Sequence, residues 1–372
     1  EDAISLADGQ PDPLYFPVEA LTKAFCEAVS ENPAEALSYG NTDGRPSFRK
    51  KISDRVNEKF GAHTNADQVC LVGGSQQGLD FTARVLLNEG ETIACEQPTY
   101  FGCFQAFGAS QPKYRAIPTD EEGILPEELD KALAEDPSIR LIYVIPNFQN
   151  PTGRTWSLAR RKAFMEVVNK YEIPVLEDDA YGDLWYGGES SDAHRPIPLK
   201  GMENAGYVMY LSTFSKTVTS GLRTGWVVAD PHVINRLAAL RRMVDQHTST
   251  SSQRICLELL KEGRIAEHLR GLIKTYRIRR DAAIAALERY APDEVYWTVP
   301  AGGYYIWVSL PDGVRSLDVL ESCRSQGVTF MPGSVFDVDE MDDSHIRLNF
   351  VRPDAADIDT GIRIIGETIA QM

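Results

Sequence analysis

"RLIYVIPNFQNPTGRTWSLARRKAFMEVVNKYEIPVLEDDAY", residues 140–181, begins and ends with a short apolar run of the kind that forms a buried strand. Between the two runs, Ser157 is a good N-cap residue and precedes a stretch with helical periodicity. A strand, a helix and a second strand in this order are typical of a βαβ unit, whose two strands are parallel. The segment therefore predicts an α/β fold.

The same alternation of apolar runs and helical stretches continues on both sides of this unit. It predicts a large domain built on a mostly parallel, seven-stranded sheet between helices. The candidate strands are 68–73, 91–95, 112–117, 140–145, 173–178, 207–212 and 225–230.

The sequence changes character after about residue 252. Helical stretches from 252 to 290 precede two apolar runs around Pro300–Gly303, and a helix ends the chain. That order is typical of a smaller α+β domain. We therefore expect an N-terminal segment associated with the small domain and the functional site, then a large domain, then a small C-terminal domain. These parts comprise residues 1–40, 41–251 and 252–372.

The composition excludes several classes of protein. A net charge of −16 over 372 residues disfavours binding to a nucleic-acid backbone. No apolar run approaches the ~20 residues needed to cross a bilayer, and the residues after Glu1 lack a signal-peptide pattern. The six cysteines form no C-x-x-C pair and no metal-ligand spacing with the six histidines. We therefore expect a cytoplasmic protein with reduced thiols and no metal, and neither nucleic acid nor membrane as a partner.

Five groups of unusual residues follow five of the candidate strands. Because the carboxyl ends of parallel strands share one edge of a sheet, where open α/β folds bind ligands, we expect these groups to converge on one pocket. The groups are Gly73–Gly78, Pro98–Tyr100, Asn150–Gly153, Asp178–Tyr181 and Lys216.

The glycine-rich group, "GGSQQG" at 73–78, precedes a helix-like stretch. The free N–H groups and positive dipole end of such a helix suit a phosphate. The segment lacks both the Walker lysine and the G-x-G-x-x-G spacing. A tight turn that needs a positive φ explains the glycines equally well.

Lys216 has unusual neighbours. The small polar residues Ser212, Thr213 and Ser215 precede it, and Arg223 follows. This set has enough donors to bind a phosphate dianion, and a desolvated lysine beside other cations becomes a nucleophile for carbonyls. The alternatives are a surface lysine and the Ser-x-x-Lys pair of a serine acylase, although position 213 is threonine and no S-D-N or K-T-G segment follows.

Asp178 and Arg347 are charged residues inside apolar runs. Asp178 ends the run "IPVLE", where a carboxylate needs a cationic partner, although a helix cap or a surface acid is the alternative. Arg347 lies in the alternating "HIRLNFV" and suits a bidentate clamp for a carboxylate, an internal salt bridge being the alternative. The pattern around Tyr15, Tyr304 and Tyr305 favours the core.

With these residues identified, the chain resembles the class I/II aminotransferases, fold-type I enzymes of the aspartate aminotransferase superfamily that use pyridoxal 5′-phosphate (PLP). The resemblance extends over nearly the whole chain, and it is greatest to the branch with aminoadipate, kynurenine, branched-chain and aromatic aminotransferases. The segments that carry it appear in the family's order and approximate spacing: "GGSQQGLD", "NPTG", "EDDAY", "TFSK" and "SGLRTGW".

The resemblance implies a role for each matching position around the cofactor ring. Lys216 would form the internal aldimine, a Schiff base, and would carry the proton between the substrate α-carbon and the cofactor. Asp178 would pair with the pyridinium nitrogen. Tyr181 and Asn150 would hydrogen-bond the phenolic oxygen, and Tyr100 would stack on the ring.

The resemblance also implies how phosphate and substrate are bound. Tyr39 matches a tyrosine that reaches the phosphate of the neighbouring subunit, which implies a homodimer with shared active sites. Arg347 would bind the substrate α-carboxylate, with Asn150 beside it, and Gly9 lies in a loop that covers the substrate. The phosphate contacts within one chain would be Ser75, Gln76, Thr213, Ser215 and Arg223.

The activity implied is transfer of an amino group between an L-amino acid and a 2-oxo acid by ping-pong chemistry. A PLP-dependent lyase for β- or γ-elimination and a decarboxylase need the same residues and stay open as alternatives. A third alternative is a non-catalytic PLP or amino-acid sensor, because aminotransferase-like domains also serve in transcription regulators. Such regulators carry a DNA-binding domain, and we expect none in this sequence.

Overall fold

The computed structural model describes residues 3–187, 195–261, 263–339 and 341–372. The strands are β1 Ile4–Ser5, β2 Val69–Val72, β3 Thr92–Gln97, β4 Lys113–Asp120, β5 Gly123–Ile124, β6 Ile139–Val144, β7 Val175–Asp178, β8 Val208–Thr213, β9 Gly225–Val228, β10 Tyr296–Trp297, β11 Tyr305–Ser309, β12 Val328–Thr329, β13 Met331–Pro332 and β14 His345–Asn349. The helices are α1 Val18–Glu31, α2 Pro33–Leu37, α3 Pro46–Phe60, α4 Ser75–Leu86, α5 Gly102–Phe107, α6 Pro126–Glu135, α7 Leu158–Tyr171, α8 Pro231–Val244, α9 Thr250–Leu259, α10 Arg264–Tyr290, α11 Ser316–Ser325 and α12 Ala355–Ile369.

The larger sheet contains all seven predicted strands, in the order β2-β9-β8-β7-β6-β3-β4-β5. Strands β8, β7, β6, β3 and β4 are parallel, and β9 runs antiparallel to both of its neighbours. The eighth strand, β5, was not predicted because it is a two-residue return of the chain beside β4. The predicted α/β fold with a mostly parallel sheet is confirmed.

The central strands are buried on both faces because alternate side chains enter different cores. In β6, Leu141 and Tyr143 join a core on one face, and Ile142 and Val144 join a core on the other. Residues of α4, α5 and α8 complete the first core, and residues of α6 and α7 complete the second. A parallel sheet covered on both sides needs such continuously apolar strands.

The smaller sheet is antiparallel, with the order β10-β11-β14-β13, and the long helix α10 packs against α12. This sheet and these helices form the smaller α+β part of the fold. The three domain ranges given above stay predictions.

The N-terminal segment is attached to this smaller part of the fold. Strand β1 pairs with β12, Ile4 opposite Val328. Farther along, the carbonyl of Ala7 accepts a hydrogen bond from Arg347 at 2.7 Å, and that of Asp8 accepts one from Asn349 at 2.6 Å. These contacts hold residues 7–10 beside β14.

Among the described helices, none has the length and apolar character required to cross a bilayer. The six cysteines are all unpaired, and five of them are buried. No group of three or more His, Cys, Asp or Glu residues in the described ranges is arranged to hold a metal ion.

Candidate active site

A cavity of about 440 Å³ opens where strands β2, β3, β6, β7 and β8 end. Residues of all five groups that follow these strands, together with Arg223, lie on its wall: Ser75, Gln76, Tyr100, Asn150, Asp178, Tyr181, Ser215, Lys216 and Arg223. The N-terminal segment and the smaller part of the fold close the opposite side with Ala7, Asp8, Gly9, Gln10, Tyr305, Met331 and Arg347.

The glycine turn between β2 and α4 is both a tight turn with a positive φ and an open helix start that suits a phosphate. Gly74 has a φ of +93°, and a Cβ added there would lie 2.5 Å from a guanidinium nitrogen of Arg223. No side chain caps the start of α4 at Ser75. The free N–H groups of its first turn and the positive dipole end are therefore available to an anion.

Arg223 lies against this turn and adds a full positive charge. It donates to the carbonyl of Gly73 at 2.8 Å and to the hydroxyl of Ser215 at 3.4 Å. Thr213 is not on the cavity wall, because its hydroxyl accepts from the Ser215 N–H at 3.1 Å and donates to the carbonyl of Thr224 at 3.0 Å. Ser220, which the sequence did not single out, lies on the wall beside Arg223.

Asp178 is a buried acid with unused bonding capacity. Its Oδ2 accepts from the Tyr143 hydroxyl at 3.1 Å, whereas its Oδ1 is buried without a hydrogen-bond partner among the described residues. Burial raises the pKa of Asp178 to about 7, against the lowering effect of the Tyr143 hydroxyl. The negative charge of Asp179 adds to the increase, and the nearby Lys216 opposes it. A cationic donor at Oδ1 would satisfy this carboxylate.

Lys216 follows β8, and its amine projects into the cavity. Nζ donates to the carbonyl of Gly9 and lies 6.0 Å from the ring centroids of both Tyr181 and Tyr304. Desolvation lowers the pKa of Lys216, and the charge of Arg347 acts in the same direction. The surface-lysine alternative is therefore wrong, and the amine is set up to lose its proton more easily than an exposed lysine.

Arg347 lies on β14 and is buried. Its guanidinium donates to Asn150 Oδ1 at 2.9 Å and lies 4.0 Å above the ring of Tyr305. No carboxylate of a described residue forms a salt bridge with it, and its buried Nε has no hydrogen-bond partner among them. An internal salt bridge therefore does not explain this arginine, and a fixed guanidinium facing the cavity suits a carboxylate ligand.

Four aromatic residues lie on the wall: Tyr100, Phe101, Tyr181 and Tyr305. Tyr181 is buried, and its hydroxyl donates to the Tyr305 hydroxyl at 3.3 Å. Burial raises the pKa of Tyr100 to about 12, so its hydroxyl keeps its proton at neutral pH.

Tyr304 and Tyr305 are buried, as expected, and the start of β11 also places the ring of Tyr305 under Arg347 on the cavity wall. Nothing in the sequence separates Tyr305 from Tyr304, whose hydroxyl donates to the Lys216 carbonyl at 2.6 Å. The expectation for Tyr15 is wrong, because its side chain is 38 % exposed.

Tyr39 is the one predicted site residue that lies far out on the surface. Its side chain is 85 % exposed and contacts His247 edge to face. Within one chain it takes no part in the cavity wall. This placement is compatible with a contact to another subunit.

These features fit PLP. An uncapped helix start with Arg223 suits the phosphate, the unpartnered Oδ1 of Asp178 suits a protonated ring nitrogen, and the amine of Lys216 suits the aldehyde. The fit rests on the donors and acceptors that this chain leaves unused.

Comparisons with known proteins agree with this fit. The model of the family "Aminotransferase class I and II" matches residues 1–365. The aromatic-amino-acid aminotransferase 1 of Thermococcus litoralis is 37 % identical, over 100 % of this chain and 88 % of that protein. The crystal structure of Pyrococcus horikoshii kynurenine aminotransferase in complex with PMP has a TM-score of 0.95 and 36 % identity, over 100 % of this chain and 91 % of that chain.

A similar protein of another kind is the uncharacterized HTH-type transcriptional regulator YisV of Bacillus subtilis. It is 33 % identical over 100 % of this chain and 74 % of its own length. The sequence similarity thus extends to regulators as well as to enzymes. With the family match and the aminotransferases above, the activity is PLP-dependent transamination, and the chain belongs to the class I and II aminotransferase family.

Proposed function

We propose that Lys216, Asp178 and Arg347 divide the work of transamination in this cavity. The observation that carries the proposal concerns three groups on the wall of one cavity. They are an amine with a lowered pKa, a buried carboxylate whose Oδ1 has no hydrogen-bond partner among the described residues, and a guanidinium that forms no salt bridge with them. When bound there, PLP withdraws electrons from the α-carbon of an amino acid and so makes its proton removable.

Lys216 is the proton carrier. A base must be neutral to accept the α-proton, and the lowered pKa of Lys216 favours the neutral amine at a lower pH than usual. Its Nζ is held by the Gly9 carbonyl, so a substrate that displaces residue 9 also frees the amine. Proton transfer is thereby linked to substrate entry.

Arg347 orients the substrate. Asn150 and the Ala7 carbonyl fix two of its nitrogens, and Tyr305 supports the face of the guanidinium. A guanidinium fixed in this way binds a carboxylate in one orientation, which places the α-carbon relative to Lys216. The N-terminal segment with Gly9 lies on the solvent side and excludes water from the cavity.

A half-reaction tests this proposal. We expect the purified protein with PLP, given one L-amino acid and no 2-oxo acid, to release about one equivalent of 2-oxo acid per subunit and then stop. Single amino acids, tried in turn, would also give the side-chain specificity. The Arg347→Gln variant should need roughly 100-fold more amino acid for the same rate, because it loses a charge-assisted bidentate contact.

The other activities predict different products. Catalytic release of ammonia would identify a lyase, and catalytic release of CO₂ a decarboxylase. Binding of amino acids without any 2-oxo acid product would identify a sensor. Any of these three results would contradict the proposed half-reaction.

The second part of the proposal is a homodimer in which Tyr39 contacts the partner's cofactor. The support is a set of exposed apolar side chains in residues 14–39 and at the end of α8, which a monomer would leave in water. They are Leu14, Val18, Leu37, Tyr39, Met243 and Val244. Such a set is typical of the core of an interface.

Mixing two inactive variants tests whether sites are shared. Lys216→Ala and Tyr39→Ala chains are each expected to have little activity at a limiting PLP concentration. If Tyr39 serves the partner, the mixed dimer has one intact site, so random re-assortment should restore roughly a quarter of the wild-type activity. Activity that stays at the mean of the separate variants would exclude sharing.

The control for this experiment pairs Lys216→Ala with Arg347→Gln. Both residues line the cavity of their own chain, so no mixed dimer regains an intact site. Restored activity in this pair would show that mixing raises activity for a reason unrelated to Tyr39.

The third part of the proposal concerns location. Unpaired cysteines, five of them buried, are typical of reducing compartments. We accordingly place the enzyme in the cytoplasm.

A further inference from the structure

A second cavity, of about 560 Å³, lies on the other side of the loop that carries Asn150. One wall comes from residues that follow β6 and from the turn after β4, and the other from the strands β10 and β11. The residues on it that bear charge or aromatic rings are Glu121, Arg154, Tyr296, Trp297 and Trp307. None of these residues lines the active-site cavity.

Two opposite charges face this second cavity without partners. Desolvation lowers the pKa of Arg154, and the negative charges of Glu121 and Asp120 oppose that change from a distance. In the described ranges, no side chain is within salt-bridge or hydrogen-bond range of the Arg154 guanidinium or the Glu121 carboxylate. Arg160 instead pairs with Asp120 at 2.7 Å and approaches Glu122 to 3.9 Å, which leaves Glu121 free.

The remaining wall is aromatic. Trp307 is only 5 % exposed and stacks on His345 with ring centroids 5.1 Å apart, so its position is fixed. Tyr296 is the register partner of Ser309, so its side chain lies on the same face of the sheet as that of Trp307, and it is 70 % exposed at the rim. Trp297 pairs with Val308, and its ring therefore lies on the opposite face. A flat apolar group in the cavity would contact the ring of Trp307 at little entropic cost, because that ring is already ordered.

We propose that this cavity binds a free amino acid with a planar aromatic side chain, as an effector. The α-carboxylate meets Arg154, the ammonium meets Glu121, and the ring lies against Trp307 and Tyr296. A partly desolvated guanidinium and an exposed carboxylate, neither of them in a salt bridge among the described residues, match the two charges of a zwitterion. A phosphate or another dianion fits less well, because Glu121 and Asp120 would repel it.

The cavity shares its walls with the substrate clamp. The Arg154 carbonyl accepts from the Gln149 N–H at 2.9 Å, in the loop that presents Asn150. Across the cavity, Thr298 accepts from the Trp307 N–H at 3.0 Å and donates to the Thr152 carbonyl at 2.7 Å. Trp307 is the register partner of Arg347 on β14. An occupant therefore contacts both elements that hold Arg347 and Asn150.

The probe for the test is α-methyl-L-phenylalanine, which has the charges and ring of the proposed ligand but no α-proton to lose. Its use rests on the proposed function, since it also fits the active site through Arg347. We expect the wild-type holoenzyme to bind two equivalents per subunit in equilibrium dialysis and to show mixed inhibition. In Arg154→Gln the second equivalent should bind about 10- to 100-fold more weakly, and inhibition should become competitive.

Two further variants separate the sites. Arg347→Gln should lose the equivalent bound in the active site and keep the one bound in the second cavity. If Arg347→Gln keeps both equivalents, that result contradicts the proposed role of Arg347 in the active site and leaves the second site intact. Arg140→Gln, an exposed arginine paired with Glu91, is the matched control and should behave as wild type. One equivalent in the wild type, or two in Arg154→Gln at unchanged affinity, would overturn the second site. Two equivalents with purely competitive inhibition in the wild type would overturn its effector role.

Discussion

Replacing Lys216 by alanine is expected to lower kcat/KM by at least about 10⁴-fold, since the variant loses its proton carrier and its contact with the cofactor aldehyde together. The amine is the one neutralisable base that projects into the cavity from the end of β8. Ser75 and Arg223, which would hold the phosphate, remain on the cavity wall, so the variant should still bind PLP, with weaker affinity. Steady-state kinetics and equilibrium dialysis with PLP measure the two effects.

Lys216→Arg and Lys170→Ala are the matched controls. Arginine keeps the positive charge but does not give up its proton, so this variant should be as inactive as the alanine variant. Lys170 is an exposed lysine paired with Asp130 on the surface, and its loss should leave kcat unchanged. A Lys216→Ala enzyme with more than about 1 % of the wild-type activity would falsify the assignment.

Replacing Asp178 by asparagine is expected to lower kcat by about 10²- to 10⁴-fold while making the apoprotein more stable above neutral pH. Activity falls because a neutral amide cannot hold a protonated ring nitrogen in place as a carboxylate does. The opposite effect on stability follows from the pKa of about 7 that burial gives Asp178.

The sign of the stability effect follows from proton linkage. A carboxyl whose pKa is raised on folding contributes stability that is fully present near pH 4 and is lost as the pH rises to about 7. Asparagine does not titrate, so the free energy of unfolding of the variant should exceed that of the wild-type apoprotein by roughly 1–4 kcal/mol at pH 8, and by much less at pH 4.

Urea unfolding of both apoproteins at the two pH values measures this difference. Asp312→Asn, at an exposed position, serves as the control and should not change the pH dependence. A variant that is inactive and also less stable at pH 8 would mean that Asp178 holds the fold together, contrary to the role proposed here.

The main strands and the convergence of the site could be predicted because they depend on patterns that are local in sequence. Most of the long strands contain an apolar run, although β4 alternates polar and apolar residues. Asp178 is the last residue of β7, and Lys216 lies three residues after the end of β8. Parallel pairing then brings the carboxyl ends of these strands to one edge of the sheet, whatever the exact bounds of each strand. Strand β5 escaped prediction because two residues carry no periodicity.

What could not be predicted depends on contacts between distant segments. Tyr305 and Tyr304 are adjacent aromatic residues, yet one lines the cavity and the other packs behind Lys216. Likewise, Glu96 reads as one residue of an apolar strand, but it accepts from the Ile145 N–H and the Trp156 indole at 2.8 and 3.0 Å and so holds both ends of the loop that presents Asn150. Sequence spacing contains no information on such pairs.

The antiparallel strand β9 has a consequence for synthesis on the ribosome. It lies between β2 and β8, so the edge strand β2 has no partner until a segment more than 150 residues later has been translated. Pairing over such a separation is slow, and meanwhile the unpaired strand is exposed to aggregation. If Arg223 and Arg347 have the proposed roles, the nascent chain acquires its phosphate site only once Arg223 has emerged, and its carboxylate site only once Arg347 has. Cofactor capture is therefore an event of the nearly finished polypeptide.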